Sequence, residues 1–469
     1  MVEPTLLSQL AKCLGPKAFT DDASEMAPWL SDWRGRVHGA AAAMLSPATT
    51  AEVQAIVRLC ADARQPLTLQ GGNSGQCAGA TPDAAGDMLL LSLRRMNRIR
   101  RIDVDAQLLF ADAGVILAHA HDAAEAQGLR FPLTLGGKGS ATLGGLVSTN
   151  AGGTQVLRHG SMRALTRGLE VVLADGSLLD VMLPLTKDNQ GPDPKQIFIG
   201  GEGVFGIVTG VALQLCAAVR EHGVGWISVP TPDAALTALR RMQRDLGQML
   251  EGFEILPEAA LTHVLAHIPG TRRPVATAGP WHILVEAVGD GASAALETAL
   301  ASRMAERVAS DATIAANESQ AADFWRIRDS ISEAERAIGP AMQHDISVPV
   351  GGMPDFLTMV PTELTGLFAD VTCLAFGHLG DGNVHFHVRP PLGCDANAWI
   401  ATHGGDVARA VYAAAISRGG SLSAEHGIGR SKRAIFGEYG DPTRIAILRG
   451  LKAALDPNGL LNPAVLIPD

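Results

Sequence analysis

The sequence is poor in aromatic residues and has no paired cysteines. Phe, Trp and Tyr make up 4% of its 469 residues, and two of these residues are Tyr. The six cysteines are scattered without a C-x-x-C pair, so we expect neither a disulfide framework nor an iron–sulfur cluster. No run reaches about 18 apolar residues, and the N-terminus lacks a basic region followed by a long apolar stretch. We therefore expect no membrane span, no export signal and a cytoplasmic location.

An excess of positive charge is also absent. Lys and Arg number 38 against 48 Asp and Glu, and the formal net charge is −10. Such a chain does not neutralise phosphate in bulk, which argues against nonspecific binding to nucleic acids. A small anionic substrate would therefore need a local cationic pocket. The length exceeds what one hydrophobic core supports and predicts two or three domains.

Glycine, by contrast, is abundant, with 52 residues, many of which fall in two clusters. The first cluster, GGNSGQ, follows a predicted helix over residues 47–65, capped by Thr49 or Thr50, and a strand-like PLTLQ. Bare backbone N–H groups with polar neighbours could bind a pyrophosphate. The residues concerned are Gly71, Gly72, Asn73, Ser74, Gly75 and Gln76. Taken alone, such a loop is equally typical of an ordinary tight turn.

A second glycine cluster spans residues 136–153 and interleaves permissive backbone with hydroxyl and amide side chains. Its length and polarity suit a long polar ligand better than a structural turn. The members are Gly136, Gly137, Gly139, Ser140, Thr142, Gly144, Gly145, Ser148, Thr149, Asn150, Gly152 and Gly153. Beyond it, Asp175-Gly176 lies between the apolar runs LEVVLA and SLLDV and predicts a β-hairpin.

A G-x-G-x-x-G match at residues 201–206 is the pattern of dinucleotide-binding loops. The residues that follow, IVTGVALQL, are β-branched and predict a strand, whereas a Rossmann fold requires a helix at this place. We therefore do not expect NAD to bind here.

Histidines flank tight turns in the C-terminal half. The segment VTCLAFGHLGDGNVHFHV predicts two strands that reverse at GDGN. Strand alternation places His385 and His387 on one face, and the reversal would bring His385 opposite His378. Further on, LSAEHGIG predicts a bent loop that carries Glu425 and His426. Two histidines and a carboxylate can bind zinc, iron or manganese. However, each histidine alone is more typical of a core residue, and spacing does not show that the two segments meet.

The segment FWRIRDSISEAERAIGPAMQHDISVPV predicts a helix that begins near Asp323 and a strand after it. Arg328 and Ser332 are four residues apart and would share a helix face. The planar guanidinium of arginine suits a substrate carboxylate. The alternative is a surface ion pair of Arg328 with Asp329 or Glu333.

Three stretches, PLTLQGGNSGQ, LGGLVSTNAGG and GGEGVFGIVT, closely resemble the vanillyl-alcohol oxidase type of FAD-binding domain over roughly residues 36 to 217. The resemblance implies that the first loop cradles the pyrophosphate and that the second lies along the flavin and ribityl chain. It implies FAD contacts from Pro66, Gln70, Gly71, Gly72, Asn73, Ser74, Gly75, Gln76, Gly139, Ser140, Thr142, Gly145, Ser148, Thr149, Asn150, Gly153, Glu202, Gly203, Val208 and Asn462. Asn73 stands where related enzymes attach FAD through histidine, so we expect a non-covalent FAD.

Three further stretches, FGHLGDGNVHFHV, AEHGIG and LKAALDPNGLLNP, resemble the D-lactate and D-2-hydroxyglutarate dehydrogenase group of flavoproteins. This resemblance covers essentially the whole chain. It implies a divalent metal, zinc or else manganese or iron, with the ligands His378, His385 and Glu425. It implies His426 as the general base. It implies substrate contacts from Arg328, Ser332, Gln343 and His387.

Two of these positions depart from the pattern of the resembling enzymes. Gln343 stands where the D-2-hydroxyglutarate enzymes usually have lysine, and His387 stands where asparagine is common. The loss of a fixed positive charge weakens the case for a dicarboxylate substrate.

The resemblance implies an α+β fold with a two-subdomain FAD-binding domain of the vanillyl-alcohol oxidase type, an α+β substrate (cap) domain and a C-terminal segment that returns to the flavin. We predict an N-terminal helical segment over 1–35, an FAD-binding domain over 36–217, a substrate domain over 218–415 and a C-terminal helical segment over 416–469.

The implied reaction is oxidation of a D-2-hydroxy acid by metal-assisted proton abstraction and hydride transfer to flavin N5. D-2-hydroxyglutarate is the foremost substrate, followed by D-lactate or another small acid such as glycolate. Electrons would pass to an electron-transfer flavoprotein or a quinone, and a homodimer is expected by analogy alone. A metal-dependent hydrolase or a noncatalytic flavoprotein subunit are the alternatives from other classes.

Overall fold

The computed structural model describes residues 2–185, 187–277 and 279–469. Within it, the chain divides into two compact units. The first unit consists of Met1–Gly153, Gly160–Ala218 and Glu425–Asp469, and the second of Thr154–His159 and Val219–Ala424. Among the described residues, none of the helices combines the length and the apolar character that a membrane span requires.

The division of the chain can be compared with the predicted domain boundaries. The predicted boundary after residue 217 lies one residue before the division at Ala218. The predicted N-terminal segment, 1–35, is part of the first unit, and residues 416–424 belong to the second. The second unit also includes Thr154–His159, which the sequence does not separate from the glycine cluster before it.

The first unit contains a four-stranded sheet of order β1-β2-β4-β3, a five-stranded sheet of order β5-β6-β10-β8-β9 and the pair β11-β7. Its strands are β1 (Phe19–Thr20), β2 (Ala43–Leu45), β3 (Leu67–Gln70), β4 (Leu89–Ser92), β5 (Ile99–Asp103), β6 (Leu108–Asp112), β7 (Leu129–Arg130), β8 (Thr166–Val172), β9 (Leu178–Asp180), β10 (Ile207–Gln214) and β11 (Cys216–Ala217). Its helices are α1 (Pro4–Leu14), α2 (Ala23–Met26), α3 (Thr50–Asp62), α4 (Leu117–Glu125), α5 (Leu143–Thr149), α7 (Met162–Leu165), α15 (Arg433–Tyr439) and α16 (Pro442–Leu455).

Several local predictions for this unit are confirmed. The hydroxyl of Thr49 accepts the backbone N–H of Glu52 and caps α3, which satisfies one of the unpaired donors at the helix start. The turn at Asp175-Gly176 joins β8 to β9 as an antiparallel pair. IVTGVALQ forms the strand β10, so the G-x-G-x-x-G match does not precede a Rossmann helix.

The second unit is built on a seven-stranded antiparallel sheet of order β15-β12-β14-β13-β17-β18-β16. Its strands are β12 (His222–Val229), β13 (Leu250–Pro257), β14 (Trp281–Val288), β15 (Asp311–Ile314), β16 (Met342–Ser347), β17 (Thr372–His378) and β18 (Asn383–Arg389). Its helices are α6 (Val156–His159), α8 (Pro232–Leu246), α9 (Glu258–His267), α10 (Ala292–Ala305), α11 (Glu318–Asp329), α12 (Ile331–Ile338), α13 (Met353–Leu367) and α14 (Ala396–Ser417).

The helix expected to begin near Asp323 differs from the prediction at both ends. It begins at Glu318, because the side chain of Asn317 accepts the N–H of Gln320 and caps it. It then ends at Asp329, and a second helix starts at Ile331 after Ser330. Since no glycine or proline marks this break, the sequence pattern predicted one continuous helix.

Candidate active site

The two glycine loops pack directly against each other in the first unit. Gly71 and Gly72 follow β3, and a methyl group on Gly72 would overlap the carbonyl oxygen of Ser140. A methyl group on Gly71 would overlap the hydroxyl of Thr142, the residue that precedes α5. Two segments that were singled out by composition alone therefore lie side by side at the start of this helix.

The two glycine loops also contain an unpartnered hydroxyl and stretches of uncovered backbone. The buried hydroxyl oxygen of Thr142 has no hydrogen-bond partner among the described residues. A methyl group on Gly75, Gly136 or Gly139 would meet no atom within 4 Å. Uncovered backbone beside an unpartnered hydroxyl offers the donors that a phosphate-bearing ligand requires. The residues present therefore fit FAD.

The amide side chains of the first loop are bonded to the protein. Asn73 donates a hydrogen bond of 2.8 Å to the carbonyl of Ser31, and Gln70 donates to two backbone carbonyls. The amide oxygen of Gln76 accepts from the guanidinium of Arg34. These residues were predicted as FAD contacts, and they also hold the loop in its conformation.

Glu202 ties the C-terminal segment to the glycine loops. Its carboxylate accepts the backbone N–H groups of Ile428 and Gly429, each at 2.7 Å. Burial raises the pKa of Glu202, although the two N–H bonds act to lower it. Asn462 donates to the carbonyl of Glu202 and accepts the N–H of Leu69 in β3. Glu202, which Asn462 contacts, thus positions the loop that contains the predicted base His426. Both Glu202 and Asn462 were predicted to lie near FAD.

The remaining predicted FAD contacts all lie in the first unit. Pro66 directly precedes β3, and Val208 is buried in β10. The side chain of Asn150, at the end of α5, accepts hydrogen bonds from Ser161 and from the N–H of Arg163. The others lie in the loop after β3, in or next to α5, or just before β10: Ser74, Gly145, Ser148, Thr149, Gly153 and Gly203.

We expect Gly72→Ala to reduce FAD content severely, because the added methyl group would overlap the Ser140 carbonyl and separate the two loops. Flavin absorbance per protein in the purified variant measures the loss. Gly450→Ala in α16 is the matched control, since a methyl group there would meet no atom within 4 Å. Equal FAD content in the two variants would show that the close approach of the loops does not matter for FAD binding.

In the second unit, strand register arranges polar residues in rows on one face of the sheet. His378 of β17 pairs with Asn383 of β18 on one side and with Glu254 of β13 on the other. In the next row, His385 of β18 pairs with Asp345 of β16. Because side chains alternate along a strand, residues two apart share a face. Five functional groups from four strands are therefore collected on this face.

The expectation that His385 lies directly opposite His378 is wrong. The direct partner of His378 is Asn383, and His385 is its diagonal neighbour two residues along β18. The two imidazole centroids are nevertheless 5.4 Å apart, since diagonal neighbours on one face remain within reach of long side chains. His385 and His387 do share a face, and both rings contact Phe376. The cross-strand partner of His387 is Gln343, so two of the predicted substrate residues are adjacent.

Glu254 joins His378 to Arg328. One carboxylate oxygen accepts from Nδ1 of His378 at 2.6 Å, and the other accepts from Nε of Arg328 at 2.8 Å. Burial would raise the pKa of Glu254, but His378 and Arg328 together lower it below the usual range. Glu254 therefore stays ionised although its side chain is 1% exposed. The Cζ atom of Arg328 lies 5.2 Å from the centroid of Phe376.

Asp345 adds a carboxylate beside His385. Its Oδ1 lies 3.9 Å from Nδ1 of His385 and accepts a hydrogen bond of 2.9 Å from the side-chain amide of Asn383. The Glu254 bond occupies Nδ1 of His378, so Nε2 is the atom of that ring that would bind a metal. A metal-binding histidine commonly donates a hydrogen bond from its other ring nitrogen to a carboxylate in this way. The donors on this face therefore fit a divalent cation.

A second buried carboxylate, Glu335 of α12, lies at the far end of the same face. Its carboxylate accepts a hydrogen bond of 2.6 Å from Nδ1 of His263 and one of 2.8 Å from Arg389. It also lies 3.8 Å from Nδ1 of His387. Burial would raise the pKa of Glu335, but His387 and Arg389 lower it. The charge of Arg389 is therefore matched by Glu335.

The expectation that Arg328 and Ser332 share a helix face is wrong. The break at Ser330 places them on α11 and α12, and Arg328 is 7% exposed whereas Ser332 is exposed. The surface ion pair of Arg328 with Asp329 or Glu333 is also wrong, because its carboxylate partner is the buried Glu254. The role of Ser332 as a substrate contact stays a prediction.

Two family models match this chain. The model described as FAD linked oxidases, C-terminal domain, matches residues 220–466, and the model described as FAD binding domain matches residues 41–182. The chain belongs to the FAD-linked oxidases. This membership agrees with the FAD expected from the glycine loops and with an oxidoreductase.

Two relatives of known name support the same membership. A protein of Arabidopsis thaliana, "D-2-hydroxyglutarate dehydrogenase, mitochondrial", is 34% identical over 98% of this oxidase and 81% of the plant protein. A Schizosaccharomyces pombe protein that bears the name of a mitochondrial D-lactate dehydrogenase is 31% identical over 94% of this oxidase and 85% of the yeast protein.

The fold expectation is confirmed by a solved structure. p-Cresol methylhydroxylase with substrate bound superposes with a TM-score of 0.76 at 15% identity, covering 99% of this oxidase and 96% of that chain. At this identity the likeness concerns the fold alone. The α+β fold of the vanillyl-alcohol oxidase type is thus the fold of this oxidase.

Sequence reasoning missed three acidic residues of this oxidase: Glu254, Glu335 and Asp345. Glu254 lies inside the apolar strand LEGFEILP, and an acidic residue in such a strand is a signal, because buried carboxylates require partners. Asp345 lies in the strand MQHDIS, and no motif in the sequence assigned it a role. Glu335 has no such signal, since it lies among other charged residues on a helix.

Glu425 and His426 lie in the first unit, in a bent loop as predicted. Gly427 and Gly429 follow with φ values of +75° and +55°, a region that glycine adopts without strain. The convergence of Glu425 with the hairpin histidines stays a prediction, as does the role of His426 as base.

Proposed function

We propose that this FAD-linked oxidase oxidises a D-2-hydroxy acid to the 2-oxo acid, with D-2-hydroxyglutarate as the foremost substrate. The name of the plant relative supports this substrate. The observation that carries the proposal is the polar face of the second unit, where Arg328 and His378 share Glu254 and His378 lies beside His385. An arginine can bind the carboxylate of a 2-hydroxy acid, and histidines can hold a cation that acts on its hydroxyl.

Arg328 is the proposed partner of the substrate carboxylate. Its Nε is bonded to Glu254, and its Nη2 is buried without a hydrogen-bond partner among the described residues. An unpartnered buried guanidinium N–H is costly, and a carboxylate would satisfy it in a charge-assisted hydrogen bond. Ser332, Gln343 and His387 would contact the remainder of the acid.

His378, His385 and Glu425 are the proposed ligands of a divalent cation. When bound, the cation supplies a Lewis acid that lowers the pKa of the substrate hydroxyl. Zinc suits this role because it is redox-silent, and manganese or iron would accept the same ligands. His426 would then accept the hydroxyl proton as a neutral imidazole. When bound, FAD supplies the acceptor for the hydride that leaves C2.

D-lactate is the second candidate, and a specific observation favours it. Among the described residues, two arginines at the polar face each have a carboxylate partner: Glu254 for Arg328 and Glu335 for Arg389. Gln343 replaces the lysine of the resembling enzymes. A second substrate carboxylate would therefore find little uncompensated positive charge, and a monocarboxylate avoids this cost.

We also propose that electrons pass to an electron-transfer flavoprotein or a quinone, that the enzyme is cytoplasmic and that it forms a homodimer. These proposals rest on the resemblance and on sequence composition. None of them affects the residues assigned above.

Anaerobic flavin reduction by a panel of D- and L-2-hydroxy acids tests the function, with metal analysis on the same sample. We expect D-acids to bleach the flavin, L-acids to leave it oxidised, and a chelator to prevent bleaching. D-2-hydroxyglutarate should bleach faster than D-lactate, and the reverse order would select the second candidate. No bleaching by any acid would favour a noncatalytic flavoprotein, and absence of flavin would favour a metal-dependent hydrolase.

A further inference from the structure

We propose that Glu254 is a positioning residue that links the metal-binding histidine His378 to the substrate-binding Arg328. This inference rests on the proposed function for the roles of those two residues. Glu254 itself contacts neither substrate nor metal in the proposal. From its position in β13, it acts by fixing the orientation of both partners.

The geometry assigns one carboxylate oxygen to each partner. Oε1 accepts from His378 at 2.6 Å and Oε2 accepts from Arg328 at 2.8 Å. The side chains of Glu254, Arg328 and His378 are 1%, 9% and 10% exposed. Solvent therefore has little access to either bond, and a rotation of the carboxylate toward one partner would weaken its bond to the other.

The bond to His378 determines the tautomer of the imidazole. A carboxylate accepts hydrogen bonds and has no proton to donate, so Nδ1 of His378 carries the hydrogen. The lone pair is then on Nε2, which is the form that binds a metal. A buried carboxylate behind a ligand also increases the basicity of the imidazole.

The bond to Arg328 fixes the plane of the guanidinium. Nε is held by Glu254, and the side chain rests against Phe376. With these two constraints, the direction of Nη2, the buried atom without a partner, is also determined. One carboxylate therefore sets the direction of the carboxylate-binding N–H and the direction of the metal-binding lone pair.

A purely structural role for Glu254 is the alternative, and the same unit contains a matched example. Glu258 accepts 2.6 Å from His282 and also bonds Arg273 at 2.5 Å. This trio has the same composition of one glutamate, one histidine and one arginine. Neither His282 nor Arg273 is a proposed ligand or substrate residue. Glu258, whose side chain is 28% exposed, therefore provides in Glu258→Gln the control for loss of a carboxylate that joins a histidine to an arginine.

The test compares Glu254→Gln with Glu258→Gln in the FAD-containing protein. A glutamine presents its NH2 group to one of the two donors, so either the tautomer of His378 or the orientation of Arg328 changes. We expect zinc affinity, measured by chelator competition without substrate, to fall about 10- to 100-fold. We expect the dissociation constant of 2-oxoglutarate, read from the flavin spectrum, to rise as well. Glu258→Gln should change neither value.

A double-mutant cycle shows whether Glu254 acts through His378. In a His378→Gln background, Glu254→Gln should cause little further loss of zinc affinity, because the residue through which it acts is already gone. Additive losses would overturn the proposal, as would wild-type zinc and 2-oxoglutarate affinities in Glu254→Gln.

Glu254→Asp keeps the proposal testable if Glu254→Gln does not fold. The shorter carboxylate cannot reach both partners, so at least one of the two affinities should fall, and two unchanged affinities would overturn the proposal. Zinc affinity is measured without substrate. A protein that oxidises no 2-hydroxy acid would therefore refute the proposed function and leave this test valid.

Discussion

His426→Ala is expected to retain FAD and to lose flavin reduction by every D-2-hydroxy acid. The proposed base contributes about 10²–10⁴-fold to the rate when it is positioned and neutral. Glu202 holds the surrounding loop through the backbone N–H groups of Ile428 and Gly429, so removal of the imidazole leaves those bonds in place. Stopped-flow measurement of anaerobic flavin bleaching gives the rate, and flavin absorbance gives the FAD content.

His119→Ala is a suitable control for that variant, because His119 is an exposed histidine on α4 of the same unit. It should bleach at the wild-type rate. If His426→Ala also bleached at that rate, His426 would not be the base. Loss of FAD from His426→Ala would instead assign it a role in the fold of the first unit.

Arg328→Lys is expected to raise the dissociation constant of the acid roughly 10- to 100-fold, which corresponds to about 1.5–3 kcal/mol for a charged hydrogen bond. Lysine preserves the positive charge beside Glu254 but lacks the planar fork that binds a carboxylate. Arg328→Ala is less informative, because the loss of an ion-pair partner leaves a buried charge and destabilises the fold by about 3–5 kcal/mol. Titration of the oxidised flavin with the product 2-oxo acid measures the effect.

Arg326→Lys provides the matched control for this second prediction. Arg326 is two residues earlier on α11, is exposed and donates to the carbonyl of Pro269. It should bind the acid like the wild type. An unchanged dissociation constant in Arg328→Lys would remove Arg328 from the substrate site and leave it a structural partner of Glu254.

The local features of this protein were predictable from the sequence because each depends on neighbouring residues. The cap at Thr49, the hairpin at Asp175-Gly176 and the strand after the G-x-G-x-x-G match all form as predicted. The common face of His385 and His387 follows from strand alternation alone. Motif resemblance added FAD to these local predictions, and the match to the FAD binding domain family supports FAD as the cofactor.

The break between α11 and α12 was not predictable, because helix periodicity continues through Ser330 without glycine or proline. Strand register was likewise undetermined, since the turn at GDGN permits more than one pairing of β17 with β18. Register decides that His378 faces Asn383 and that His385 lies diagonal to it.

The sequence by itself determined the two glycine loops, the histidine-bearing hairpin and the helix that carries Arg328, because turn residues and hydrophobic period act over a few positions. Only the tertiary structure decided that Glu254 lies between His378 and Arg328, which are 124 and 74 residues away from it along the chain. Such pairings depend on which strands and helices become neighbours, and that choice is made by packing of the whole sheet rather than by any local pattern.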